Sequence, residues 1–290
     1  MINNKNLAII HAYLCADGYV IKNPKNQKQK YYRIGFRNTN LVLLKDFQER
    51  FEKVFNLKPR LVEGERSEIG SKEIYEKLTK EFGSFYSKEW KVPELKKGFS
   101  NFWLRTFFDC EGWVFCRTRQ NRHIGLDTIN EKGLDKIIIE LNKLGIKTIK
   151  KENKKRKMFR IFIYGEENLK KFQNKIGFLH PGKKKKLQET LNDFVKYEWI
   201  FPKEDKKCKE FVKNKLKEKI RIKKPHYIRI ISKEEANLSK LKFYLHKFYA
   251  VESLLNKRKN GIGTTYYELT INKKEEIKKL IKLKIIGNIL

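Results

Sequence analysis

The 290-residue chain predicts an α+β fold, with two pseudo-symmetric αββαββα copies followed by a C-terminal βαββα extension. Three observations carry that prediction. Two apolar, helix-like stretches end on an acid and a glycine: "IHAYLCADGYV" at Ile10 to Val20 and "LRTFFDCEGWV" at Leu104 to Val114, 94 positions apart. Ile69 follows Asp17 by 52 positions and Ile163 follows Glu111 by 52, so both halves keep one register. Towards the end, "YYELTINKKEEIKKLIK" aligns without gaps on "FRIFIYGEENLKKFQNK" with Tyr267 set against Phe159, which marks a partial third copy.

Taken in order, each copy leaves its acid-ended helix through a strand ("YVIKN", "WVFCRTR"). It returns in a second strand, where "RIGFRNTN" at Arg33 to Asn40 parallels "HIGLDTIN" at His123 to Asn130. An amphipathic helix follows, "LVLLKDFQERFEKVF" or "GLDKIIIELNKLG". Two further strands and a closing helix complete the copy, with "RSEIGSKEIYEKL" matching "RIFIYGEENLKKF". Such a unit makes a four-stranded antiparallel sheet with helices on one face and the other face open. The expected boundaries are 1–98 and 99–200 for the two copies. The stretch 201–225, between Pro202 and Pro225, reads as a basic helical linker. Residues 226–290 read as a βαββα half-copy without the acid-glycine helix and first strand, serving as an accessory nucleic-acid-binding or scaffold module.

Lys and Arg number 68 against 34 Asp and Glu, a formal charge of +34 spread along the whole chain. Self-repulsion of that size points to an anionic partner, and distributed lysines and arginines suit nucleic-acid phosphate. No apolar run is long enough to span a bilayer and "MINNKNLAII" is no signal peptide, so a membrane partner is not expected and a cytoplasmic location is. The four cysteines form no C-x-x-C pair and the five histidines no H-E-x-x-H, which argues against zinc and disulfides. Without a GxxxxGK[ST] loop or a GxGxxG element there is no visible nucleotide cradle.

A carboxylate at the end of a helix faces unpaired carbonyls and the negative end of the dipole, so something else must favour Asp17 and Glu111. Ala8, Ala12 and Ala16 form a small-residue stripe, with Thr106 and Cys110 in the places of the last two, so the two helices can pack side by side. Gly18 and Gly112 are expected in left-handed turns. Packed ends bring the two acids together, and a divalent cation resolves their repulsion; hard carboxylate oxygens suit magnesium. Metal between two basic sheets points to assisted phosphodiester hydrolysis. Counting by twos places Asn23 and Lys25 on the face of Asp17, and Arg117 and Arg119 on that of Glu111. Arg33 and Arg37 share a face opposite Tyr32, Ile34 and Phe36, which are expected inward. "KKENKKRK", with Lys151, Lys154, Lys155 and Lys157, reads as a phosphate-touching hairpin. His180, before Pro181, reads as a turn residue, and Cys110 as a packing residue in an alanine position.

"IHAYLCADG" and "LRTFFDCEG" resemble the nine-residue motif of the LAGLIDADG homing endonucleases in their single-chain, two-motif form. "WKVP" at Trp90 to Pro93 and "IGFLHPGKKKKL" at Ile176 to Leu187 extend the resemblance to residues 6–200. The resemblance implies that Asp17 and Glu111 are metal-binding catalytic acids, that Mg2+ is the cofactor, and that the sheets form a saddle on double-stranded DNA with a long recognition site. The basic residue that family members add near the metals falls on the equivalent Arg66 and Arg160, with Lys72, Lys155 and Lys157 as alternatives. A monomer is expected. Two other readings stand beside it: an intron RNA-splicing maturase, and a regulator that binds DNA without cutting. The ends carry no His-Asn with a terminal nucleophile, so an intact intein is not expected.

Overall fold

A computed structural model of the chain describes every residue except 25, 29–30, 118–119, 195, 224–226, 262–263 and 288–290. It divides into two compact units, Met1–Phe194 and Val195–Leu290. Among the described residues no helix is long and apolar enough to cross a membrane.

The first unit holds both acid-bearing copies. One runs α1 (Lys5–Cys15), β1 (Gly18–Lys22), β2 (Tyr32–Arg37), α2 (Leu41–Phe55), β3 (Arg60–Val62), β4 (Arg66–Gly70) and α3 (Lys72–Phe82). The other runs α4 (Ser100–Glu111), β5 (Gly112–Arg117), β6 (Gln120–Thr128), α5 (Glu131–Lys143), β7 (Ile149–Asn153), β8 (Met158–Tyr164) and α6 (Glu166–Lys175), and adds α7 (Pro181–Asn192). Each sheet is antiparallel with its second strand beside its fourth: β1-β2-β4-β3 and β5-β6-β8-β7. Local chemistry sets the helix starts. Asn4, Asn40, Ser71 and Asn130 each accept from backbone N–H groups of the turn they open.

Alternation along the strands decides the faces. Ile34 and Phe36, then Ile124 and Leu126, are fully buried against helices, whereas Arg33 and Arg37 are exposed on the opposite side. Helix α1 is buried from Ala8 to Cys15 because it lies between its own sheet and α4. One apolar core therefore runs through both copies, and a buried hydrogen bond crosses it, Trp103 Nε1–H donating to His11 Nδ1 at 3.2 Å.

Two expectations need correction. Gly18 and Gly112 are not in left-handed turns; Gly112 has φ −82° and ψ 160°. Close approach demands them instead. A Cβ on Gly18 would lie 2.4 Å from Leu14 Cα, and one on Gly112 2.7 Å from the Phe108 carbonyl oxygen.

The second correction concerns the C-terminal unit. The stretch expected as a linker is part of it: α8 (Asp205–Lys219) buries Cys208, Val212 and Leu216, and β9 (Arg221–Lys223) pairs with β10 (Tyr227–Ser232). With α9 (Glu235–Tyr249), β11 (Leu254–Lys259), β12 (Thr265–Ile271) and α10 (Lys274–Lys282), the unit is a whole αββαββα copy with sheet order β9-β10-β12-β11. It has an apolar core of its own around Ile228, Ile230, Leu241 and Leu269.

Candidate active site

Asp17 lies just beyond α1, and Glu111 is the last residue of α4. Small side chains make the helix ends meet: Ala12 is fully buried, and Ala16 and Cys110 pack on the same core. Cys110, on α4, lies near enough to the Asp17 carboxylate to oppose the rise in its pKa, which sets the end of one helix beside the other. On the far side, Asn38 Nδ2 donates to Asp17 Oδ2 at 3.1 Å, and the Arg37 N–H donates to the Asp17 carbonyl at 3.1 Å.

The electrostatics follow from that placement. Burial raises the Asp17 carboxyl, while the Asn38 bond, the Lys183 charge and Cys110 oppose the rise. Burial and then the charge of Asp17 push Glu111 up to about 7, against Lys183 and with help from Asp127. Two carboxylates that each resist ionisation, side by side, want a cation.

The cation the protein itself supplies is Lys183. Its ammonium donates to the carbonyls of Phe108, Asp109 and Cys110 at 3.2, 2.6 and 3.0 Å, joining the Gly112 N–H on the first and meeting the other two at the end of α4. Desolvation lowers its pKa, and the charges of Asp109, Asp17 and Glu111 work against that. Buried Asp109 brings Lys183 there by accepting from the N–H groups of Leu179 and His180 at 2.9 to 3.1 Å, which pins the start of α7 onto α4. His180 caps α7, with Nδ1 accepting from the Lys183 N–H at 3.3 Å and Nε2 facing Asn40 Nδ2 at 3.3 Å.

Arg66 and Arg160, expected to be the basic residues of the site, are engaged by acids of their own sheets. Arg66 pairs with Glu65 and, at 3.0 Å, with Glu68. Arg160 holds Asp127 Oδ2 at 2.8 Å, and Asp127 in turn helps to raise Glu111; the other Asp127 oxygen is buried with no hydrogen-bond partner among the described residues. Lys72 pairs with Glu76 on exposed α3, and Lys155 and Lys157 lie exposed in the β7–β8 turn. Lys151 and Lys154 are exposed on the same hairpin.

Among the expected DNA-contacting residues, Arg33 and Arg37 stand on the open face, their guanidinium groups 4.7 and 5.3 Å from the rings of Tyr31 and Tyr19. Asn23 does not stand with them: it is buried, and its Oδ1 accepts from the Tyr31 N–H at 3.0 Å, closing the β1–β2 hairpin. Arg117 is exposed, but a register shift between Phe115 and Arg117 ends the simple alternation before it. Lys25 and Arg119 lie outside the described residues. The open face of the second sheet also carries an aromatic cluster: Phe115 stacks on His123 at 5.1 Å, and Phe162 lies 5.2 Å from His123 and 6.2 Å from Trp113. Trp113 and Phe115 lie two and four positions after Glu111 and share a face by alternation; His123 and Phe162 join them only through strand register.

Magnesium can be tested against these donors. Among the described residues no set of three or more His, Cys, Asp or Glu is arranged to hold a metal, so the protein offers two carboxylates and nearby carbonyls. That fits a hard cation that keeps several waters and takes the rest of its shell from substrate oxygens.

Two copies of one α+β fold in a single chain, each delivering an acid to the meeting ends of paired helices, define a duplicated acid-helix class of protein. The chain belongs to the LAGLIDADG family: the model of the LAGLIDADG-like domain matches residues 4–84 and again 99–177. Among curated proteins it is similar to the replication factor C small subunit of Methanocaldococcus jannaschii, 30% identical over 203 residues, covering 66% of this chain and 10% of that protein. It is also similar to the glutamine–fructose-6-phosphate aminotransferase of the same organism, 24% identical over 213 residues, covering 67% of this chain and 19% of that protein. The chain thus spans between a tenth and a fifth of the length of these relatives. Among solved structures, I-DmoI in complex with DNA and Mn aligns at 15% identity over 59% of this chain and 96% of that one, with a TM-score of 0.44.

Proposed function

We propose that the chain is a magnesium-dependent endonuclease that cuts double-stranded DNA at a long, specific site. The meeting of Asp17 and Glu111, one acid from each copy, at the joined ends of α1 and α4 carries this reading. A bound divalent cation supplies Lewis-acid stabilisation of phosphodiester oxygens and a nucleophile at neutral pH. Asp17 and Glu111 hold it in their ionised forms. Asn38 orients Asp17. Lys183 spends its three N–H donors on carbonyls, so it acts as a fixed positive charge beside the acids and not as a proton donor. Arg33 and Arg37 on the open face of the first sheet, with Arg117 exposed at the end of β5, are assigned to base edges, and the exposed Lys151, Lys154, Lys155 and Lys157 to phosphate. Arg66 and Arg160 hold carboxylates of the sheets in place.

Family membership supports the nuclease reading. Two curated relatives with unrelated names each carry a similar stretch within a much longer chain, which is the pattern a mobile module inserted in unrelated hosts leaves behind.

The test is cleavage of a large randomised DNA library by the purified protein with Mg2+, with the ends recovered by sequencing. One long consensus, cut by the wild type and left intact by Asp17→Asn and Glu111→Gln, is the expected outcome. Enrichment of a sequence without any cut, in magnesium or manganese, would overturn it in favour of a non-cleaving binder, and structured RNA would become the next ligand to try.

A further inference from the structure

The C-terminal unit repeats the fold of the other two copies but replaces the residues on which their chemistry depends. Ile271 pairs with Ile228 as Ile163 pairs with Ile124 and Ile69 with Ile34. Counting back 52 positions from Ile271 reaches Lys219, where the same count reaches Asp17 and Glu111. Ile220 follows in place of Gly18 and Gly112. The helix before it differs in kind: α8 buries one stripe, Cys208, Val212 and Leu216, and carries seven lysines elsewhere, whereas α1 is buried almost all round. Such a helix is shaped for solvent and not for close packing on a twin.

The open face of the sheet has changed in the same sense. Next to the acid, the first two copies place an aromatic ring over a glycine, Tyr19 opposite Gly35 and Trp113 opposite Gly125. The third places Arg221 opposite Arg229. Like charges directly across a strand pair destabilise a sheet unless an anion answers them. Glu268 answers Arg229 at 3.0 Å and Arg258 at 3.3 Å; among the described residues no carboxylate pairs with Arg221 or Lys223, both exposed. Residues 195–290 hold 26 Lys and Arg against 11 Asp and Glu.

We infer that this unit is a third copy of the fold converted from cleavage to non-specific binding of duplex DNA, with Arg221, Lys223 and Arg258 on its open sheet face meeting phosphate. The choice of duplex DNA as partner rests on the function proposed above. Lys219 and Ile220 remove the metal-binding end, and the exchange of ring and glycine for two arginines turns a packed surface into a phosphate-facing one.

The test compares three full-length proteins binding a random-sequence DNA duplex across a salt series: wild type, Arg221→Ser/Lys223→Ser/Arg258→Ser, and Arg33→Ser/Arg37→Ser/Arg117→Ser. Loss of three phosphate contacts is expected to lower the slope of log affinity against log salt by about 2 to 3. Affinity should fall at least roughly 10-fold at low salt, with the melting temperature unchanged. Hydrogen exchange on the wild type should show β9 to β12 protected by the duplex. An unchanged slope for the C-terminal variant, no protection of β9 to β12, or preference of this face for duplex RNA would each overturn the inference. If the C-terminal variant weakens while the Arg33/Arg37/Arg117 variant does not, the inference stands and the DNA-binding role proposed for the first two sheets fails.

Discussion

Burial and Asp17 raise the Glu111 carboxyl to about 7, so near neutral pH the folded protein binds a proton there that the unfolded chain has released. A raised carboxyl contributes stability in full below its unfolded value, near 4.5, and loses it as pH climbs through about 7. Without divalent metal, the melting temperature of wild type relative to Glu111→Gln should therefore fall over that window; a difference that stays flat refutes the shifted carboxyl. Magnesium affinity should strengthen as pH rises through the same range, measured by calorimetric titration. Lys183 is the second residue to change. Lys183→Met removes three charge-assisted bonds and should cost about 2 kcal/mol in denaturant unfolding. If the family reaction is present, it should also slow cleavage by roughly 10² to 10³-fold. A variant as stable as the wild type would remove Lys183 from the site. The two acids were legible because helix, acid and glycine are adjacent in the chain. Lys183 was not, since nothing local separates it from Lys184, Lys185 and Lys186; the bonds that choose it run from Asp109 to Leu179, His180 and Lys183, 70 or more positions away.

Elements show the same division between local and distant information. The acid-ended helices, their strands and the amphipathic α2 and α5 follow from periodicity, and the α+β class with its two αββαββα copies came through intact. Helix α8 was expected as a helix but assigned, with strand β9, to a linker, because α8 shows only Cys208, Phe211, Val212 and Leu216 as a narrow apolar stripe among lysines, and β9 is three residues, Arg221 to Lys223, with a single apolar position. Their place is set by the partners Tyr227 to Arg229 and by the core beneath. The glycines after the acids were identified correctly but given the wrong reason, because close approach of a strand to the helix it leaves cannot be told from a left-handed turn in one sequence. Gly18→Ala should accordingly destabilise by about 1 to 3 kcal/mol as an overpacked contact. Chemical denaturation measures it; a neutral effect would mean that the β1 start shifts freely off Leu14.

Over the whole molecule, the two units carry separate apolar cores, one around α1 and α4 and one around Ile228 and Leu269. Calorimetry should resolve two transitions, and Mg2+ should raise only the one that Asp17→Asn makes insensitive to it. A single transition that moves as a whole with Mg2+ would show the cores to be coupled. The formal charge of +34 set the expectation of an anionic partner but could not say which face meets it, because a lysine or arginine lies on every helix and on every strand except β12. Three copies of one fold also impose a parity on the chain. Chemistry built where two helix ends touch comes in twos, so an odd copy has no twin against which to keep its acid. Its interior is held to the same pattern as before, while the end of its first helix is free to drift, and a protein that grows by duplication gains in this way a spare part whose shape outlasts its original employment.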